Sequence, residues 1–136
     1  MTRKVSSGTP WEPVAGYSRA VAAGDFVFVA GCTSVADGVV VHEGDAGAQT
    51  TQAITNVARA LDQLGAGLGD VVRTRMFVTD ISRWREVGAV HAEVFGDISP
   101  VATMVEVSAL IAPEVMVEIE VDAYVSGANR PAASGR

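Results

Sequence analysis

Cysteine is nearly absent from this sequence. One residue, Cys32, stands in 136, so no disulfide can close within the chain, no cysteine metal cage can be built, and a reducing, intracellular setting is expected. Histidine is also scarce. His42 falls in a turn-rich loop and His91 on the apolar side of a helical repeat, with no His-x-x-x-His or Cys-x-x-Cys spacing, so no metal site is indicated and His91 reads as a packed, hydrogen-bonded residue. Positive charge is in deficit: ten Lys and Arg face sixteen Asp and Glu, a net charge of -6. Without a basic stripe, binding to nucleic acid is not expected. No apolar run nears the roughly 20 residues of a membrane span, and the basic start lacks the apolar stretch of a secretory signal. No glycine-rich loop opens a helix after a strand, because Gly65-Ala-Gly67-Leu-Gly69 follows a helix instead; no cofactor is expected. These absences together predict a soluble, cytoplasmic protein.

What is present fits one domain. Residues 1–125 read as that domain, and 126–136, rich in Ala, Ser, Gly and Pro, as a disordered tail. The stretch from Pro100 to Tyr124 is the most informative. Two alternating runs, Val101 to Val107 and Val115 to Tyr124, flank a break at Ala112, Pro113 and Glu114, which predicts a β-hairpin. In the second run Val115, Val117, Ile119, Val121 and Ala123 share one face, and Met116, Glu118, Glu120, Asp122 and Tyr124 the other. The first face is core. The acidic face is either a solvated outer surface or one met by water, a basic neighbour or a ligand.

Upstream, Met1 to Gly16 reads as loop. Tyr17 to Val21 and Phe26 to Ala30 predict a hairpin turning at Ala22 to Asp25, with Gly31 admitting a close backbone approach or a positive φ that re-aims Cys32 and Thr33 away from the ladder. Asp37-Gly38 marks a turn before a short strand, Val39 to Val41. Asp45 caps a helix from Ala46 to about Leu64 whose stripe is Ala53, Ile54, Val57, Ala58, Leu61 and Leu64, with Gln49, Gln52, Asn56, Arg59 and Gln63 mainly off it. Asp70 to Thr79 reads as a strand with Val72, Thr74, Met76 and Val78 on one face and Val71, Arg73, Arg75 and Phe77 on the other. Its two arginines either solvate that face or meet the acids between Glu118 and Asp122. Asp80 and Ser82 cap a second helix carrying Trp84, Val87, Val90, His91, Val94 and Phe95. The order predicts an α+β fold, a mixed β-sheet with two helices packed on one face.

As a set, several short motifs resemble the RidA family (YjgF/YER057c/UK114). They are Gly16-Tyr17, the Phe-Val-Ala-Gly run ending at Gly31, Ala48-Gln49-Thr50 with Asn56-Val57, the stretch from Gly69 to Asp80, Pro100 with Val105-Glu-Val107, and Val117-Glu-Ile-Glu120. The resemblance implies a chorismate-mutase-like fold and a homotrimer whose strands form a central β-barrel, with a small-molecule pocket at each interface. It also implies hydrolysis of reactive enamines and imines derived from amino acids. By that resemblance Glu118 positions or activates water and Tyr17 is the pocket tyrosine; with Arg19, which shares a strand face with Tyr17, the residues Gly31, Cys32, Arg75, Phe77, Ala102 and Thr103 complete the expected substrate site. Where deaminating relatives carry an arginine that clamps the substrate carboxylate, this chain has Ala102, so the bidentate anchor is missing. Ala30 and Cys32 also make the pocket less polar than in relatives.

Three functions follow as expectations. One is a hydrolase or deaminase with a retuned pocket, in which Arg19 or Arg75 replaces the missing cation. The second is a non-catalytic binder of small metabolites lacking a carboxylate, with Tyr17, Phe77 and Glu118 around the ligand. The third is an endoribonuclease or translation inhibitor, disfavoured by the acidic charge and the lack of a histidine pair.

Overall fold

The computed structural model describes residues 2–126; the expected tail lies, beyond Ser126, outside them. Eleven elements follow one another: Thr2–Val5 (β1), Trp11–Ala15 (α1), Ala20–Ala23 (β2), Phe26–Cys32 (β3), Val35–Ala36 (β4), Val39–Val40 (β5), Ala46–Gln63 (α2), Val71–Val78 (β6), Trp84–Phe95 (α3), Val101–Glu106 (β7) and Val117–Tyr124 (β8). Six strands form one mixed sheet in the order β1-β2-β3-β8-β6-β7, antiparallel except where β7 runs parallel to β6. The sheet of a single chain is open, with β1 and β7 at its edges.

The core forms where the two apolar periods meet. Val117, Ile119, Val121 and Ala123 of β8 are almost fully buried, as are Ala53, Ile54, Val57 and Leu61 of α2, which lies across β8 and β3. Asp45 caps α2 as its spacing predicts, its carboxylate accepting from Ala48 N at 2.9 Å. The helix α3 packs beside α2, so both long helices cover one face. His91 meets Thr74 at 2.8 Å, its ring tilted against that of Phe95 at 4.8 Å, and burial holds its pKa below the usual value, as a packed neutral imidazole requires. Among the described residues no helix is long and apolar enough to cross a membrane.

The expected hairpin from Val101 to Tyr124 does not form. The strand β7 joins β6 in parallel through the α3 crossover, and the chain then returns to insert β8 between β3 and β6. Alternation fixes which face of a strand is buried, not which strand lies beside it. On β6 the pairing register shifts between Val71 and Arg73, so Val71 is buried and Val72 is 44% exposed, the reverse of the strict alternation. The first 16 residues are not simply loop, since β1 pairs with β2 and α1 follows. Gln49, placed off the helical stripe by its polarity, is wholly buried: its amide donates to Val41 O and Glu114 O and accepts from Met116 N. Asn56 likewise donates to Thr33 O and Val35 O, at 2.9 Å each. These two amides tie α2 to the loops that flank β3 and β8.

Candidate active site

The site is built on a bulge in β3. Val29 faces Val121 and Cys32 faces Ile119, so Ala30 and Gly31 together oppose the single residue Glu120. At the bulge the missing side chain of Gly31 leaves space that a neighbour fills. The side chain of Glu118 lies across it, and a Cβ there would stand 2.7 Å from Glu118 Cδ. Beside it, Phe77 of β6 is the direct cross-strand partner of Glu118. Glu118 accepts no hydrogen bond from the described residues, and burial, with the nearby Glu120 charge, raises its pKa against the lowering pull of Arg19.

Arg19 holds the other side of the bulge. Its Nη1 donates to Gly31 O at 2.7 Å and Ala30 O at 3.2 Å, and its Nε donates to Ser7 Oγ at 3.2 Å. Its Nη2 stands 3.8 Å from Glu12 Oε2. The Tyr17 ring, 38% exposed, lies 5.7 Å from the guanidinium carbon. Arg19 is thus buried and turned inward, committed to protein groups. Glu12 is buried as well, which opposes its ionisation, but the Ser7, Ser6 and Thr9 hydroxyls and the Ser7 N–H all donate to its carboxylate and outweigh burial, bringing its pKa down to about 2.

Cys32 sits on the core side of the bulge, its Sγ 3.7 Å from Arg19 Nη1; burial raises the thiol pKa, with Arg19 pulling the other way. A buried protonated thiol is a poor nucleophile. On the open face of the sheet Arg75 reaches Glu120 at 3.3 Å and Asp122 at 3.5 Å, and Arg73 reaches Asp122 at 3.7 Å. The acidic row therefore meets basic neighbours within its own chain. Thr103 is the parallel partner of Arg75, and Ala102, exposed on the edge strand, that of Thr74. The fold thus gathers Glu118, Gly31, Cys32, Arg19, Tyr17 and Phe77 around the bulge. Arg75, Ala102 and Thr103 lie on the β6–β7 side. Among the described residues no group of three or more His, Cys, Asp or Glu is placed to hold a metal ion.

Away from the bulge, at the Phe26 end of β3, the open face carries an exposed apolar cluster. Phe26 stacks on Phe28 at 5.9 Å and meets Tyr124 edge-on at 5.3 Å, with Val72 and Val101 beside Arg73 and Asp122 in the same hollow. Sequence reading missed Glu12 and its hydroxyl cage. The only local trace is three hydroxyl residues, Ser6, Ser7 and Thr9, just before Glu12; the helix itself has no side-chain cap.

The model of the family described as Endoribonuclease L-PSP matches residues 8–125. An uncharacterized protein of Streptomyces coelicolor is 40% identical over 122 residues, 90% of this chain and 91% of its own length. The 3-aminoacrylate deaminase RutC of Acinetobacter baylyi is 34% identical over 119 residues, 87% of this chain and 93% of its own. The crystal structure of Rv2704 from Mycobacterium tuberculosis, a member of the highly conserved YjgF/YER057c/UK114 family, is 57% identical. It superposes with a TM-score of 0.84 over 92% of this chain and 100% of the other.

Proposed function

Because this chain belongs to the endoribonuclease L-PSP family, the YjgF/YER057c/UK114 proteins, we propose that it hydrolyses small imines or enamines at sites completed when three copies assemble in the cytoplasm. The observation that carries this reading is the Glu118 carboxyl group, lying on Gly31 with no hydrogen-bond partner among the described residues and a pKa raised by burial. Imine hydrolysis needs a water made nucleophilic and a proton delivered to nitrogen. The water oxygen bonds to the C=N carbon, a proton passes to nitrogen, and the resulting carbinolamine collapses to a carbonyl compound and ammonia. A carboxyl group with a raised pKa serves both halves, accepting the proton of the attacking water and returning it to the leaving nitrogen.

The favoured substrate is neutral or cationic. Arg19 and Arg75, the two candidates for gripping a carboxylate, are bound to protein carbonyls and carboxylates, and Ala102 offers no charge. An anionic substrate would meet Glu118 and Glu120 without a released counter-charge. The exposed Phe26, Phe28, Val72, Val101 and Tyr124 support assembly of several copies through the open sheet face, where the remaining pocket walls would come from a neighbour.

The test is to make imines in place with an amino acid oxidase and follow ammonia release with and without the protein. Acceleration of neutral over acidic imines supports the reading. No rate above buffer for either class rejects it, and a ligand-dependent rise in melting temperature without product would then favour a binder. RNA cleavage is the weaker reading, because the open face carries Glu118, Glu120 and Asp122 on a chain of net charge -6, which repels phosphate.

A further inference from the structure

The segment from Ser6 to Arg19 is joined to Glu118 by an unbroken series of contacts. A β-bulge leaves backbone groups outside the ladder, and buried carbonyls without donors are costly. Here one guanidinium nitrogen of Arg19 bridges both bulge carbonyls, Ala30 O and Gly31 O. The guanidinium is itself buried, so it needs a counter-charge, and Glu12 stands 3.8 Å away. Glu12 in turn is kept ionised by Ser6, Ser7 and Thr9, whose three hydroxyls converge on one carboxylate. Arg19 and Glu118 therefore meet at the same residue: Arg19 grips the Gly31 carbonyl, and Glu118 covers the Gly31 Cα, where a Cβ would have to displace the carboxyl group.

We propose that Glu12 and Arg19 are a positioning pair, whose grip on the Ala30–Gly31 bulge sets where the Glu118 carboxyl group stands. The role is indirect, since neither residue presents a released polar group to a substrate. It rests on Glu118 being the acting group, so the test reads the pair both with and without turnover. The variant is Glu12→Gln combined with Arg19→Met. It removes both charges together, so no buried charge is left unpaired, and Met keeps most of the arginine stem's volume while donating to neither carbonyl.

The purified double variant is first checked for a cooperative thermal transition, then for the titration of Glu118 by carboxyl NMR and for the Gly31 amide resonance. The expected result is a displaced Gly31 resonance and a Glu118 titration moved upward, because the Arg19 charge that lowers it is gone. Where the wild type turns over an imine, kcat falls by about tenfold or more with KM changed by less than about twofold, the pattern of a misplaced catalytic group. Arg19→Lys with Glu12 intact, which keeps the charge and one carbonyl contact, restores part of both readouts. A folded double variant with wild-type Gly31 and Glu118 signals overturns the proposal, whatever its activity. A wild type without turnover overturns the imine reading alone and leaves the pair to be judged on the NMR signals.

Discussion

The carboxyl group of Glu118 rests on the bare backbone of Gly31, so closely that a Cβ would stand 2.7 Å from its Cδ and 2.8 Å from its Cγ. No positive φ is involved at this glycine. Its lack of a side chain is used for space, and the neighbour using that space is the tip of a flexible residue. The consequence separates stability from activity.

Gly31→Ala pushes the Glu118 side chain aside at little cost to the fold, within about 1 kcal/mol in chemical denaturation, since the carboxyl group can swing toward solvent. Turnover of a neutral imine falls by about tenfold or more. A variant with unchanged kcat would show that Glu118 does not act from this position.

Glu118→Gln removes the proton carrier and lowers kcat by about a hundredfold. Its effect on stability has the opposite sign. A glutamate whose folded pKa is raised disfavours the folded state above its unfolded pKa, with a penalty that grows until pH passes the folded value. The glutamine variant is therefore more stable than the wild type at pH 7, and the difference vanishes below about pH 4. Thermal melts across that range check the sign.

Glu12 behaves in reverse. Its folded pKa of about 2 lies below the ordinary glutamate value of 4.5, so its contribution is complete above that value and is lost as pH falls toward 2. Glu12→Gln at pH 7 costs about 2–3 kcal/mol, part of it from leaving the buried Arg19 uncompensated. The gap between wild type and variant narrows between pH 4.5 and 2, measured by urea denaturation at fixed pH values.

The exposed aromatic cluster gives a prediction about assembly. Phe28 is 43% exposed between Phe26 and the sheet's hollow, so Phe28→Lys costs the single chain little. In an assembly that buries this face the ammonium would be desolvated without a partner. Sedimentation equilibrium is expected to give three times the chain mass of 14.1 kDa for the wild type and one for the variant. A monomeric wild type would remove the interface on which the proposed pocket depends.

Which parts of this molecule were legible in its sequence follows from the range of each signal. Val117, Ile119, Val121 and Ala123 alternate, and they are buried; Asp45 precedes an apolar stripe, and it caps α2. Those signals act over a few residues. The partner of β8 is set by which gap in the sheet its apolar face can fill, so alternation alone suggested a hairpin with β7 where β3 and β6 are the true neighbours. The acids at 120 and 122 do meet Arg73 and Arg75, as charge complementarity on neighbouring strands suggested. The contacts of Arg19 were hidden for the same reason that β8 was mispaired. Its sequence neighbours do not reveal the bulge carbonyls and the carboxylate that it meets.

Ala102 supplies the sharpest discrimination between substrate classes. It is exposed on edge strand β7, where its ladder partner is the buried Thr74, so its side chain lies on the face opposite that of Thr103 and Arg75. An arginine at this position carries five N–H donors in a planar fork that matches a carboxylate, and unlike Arg19 or Arg75 it has no assigned partner among the described residues. Ala102→Arg is therefore expected to raise kcat/KM for carboxylate-bearing imines by at least about tenfold relative to neutral ones. The ratio of ammonia release from imines of an acidic and a neutral amino acid, measured side by side, reads this directly. An unchanged ratio would mean that position 102 does not face the substrate, and that the preference for uncharged imines has another origin.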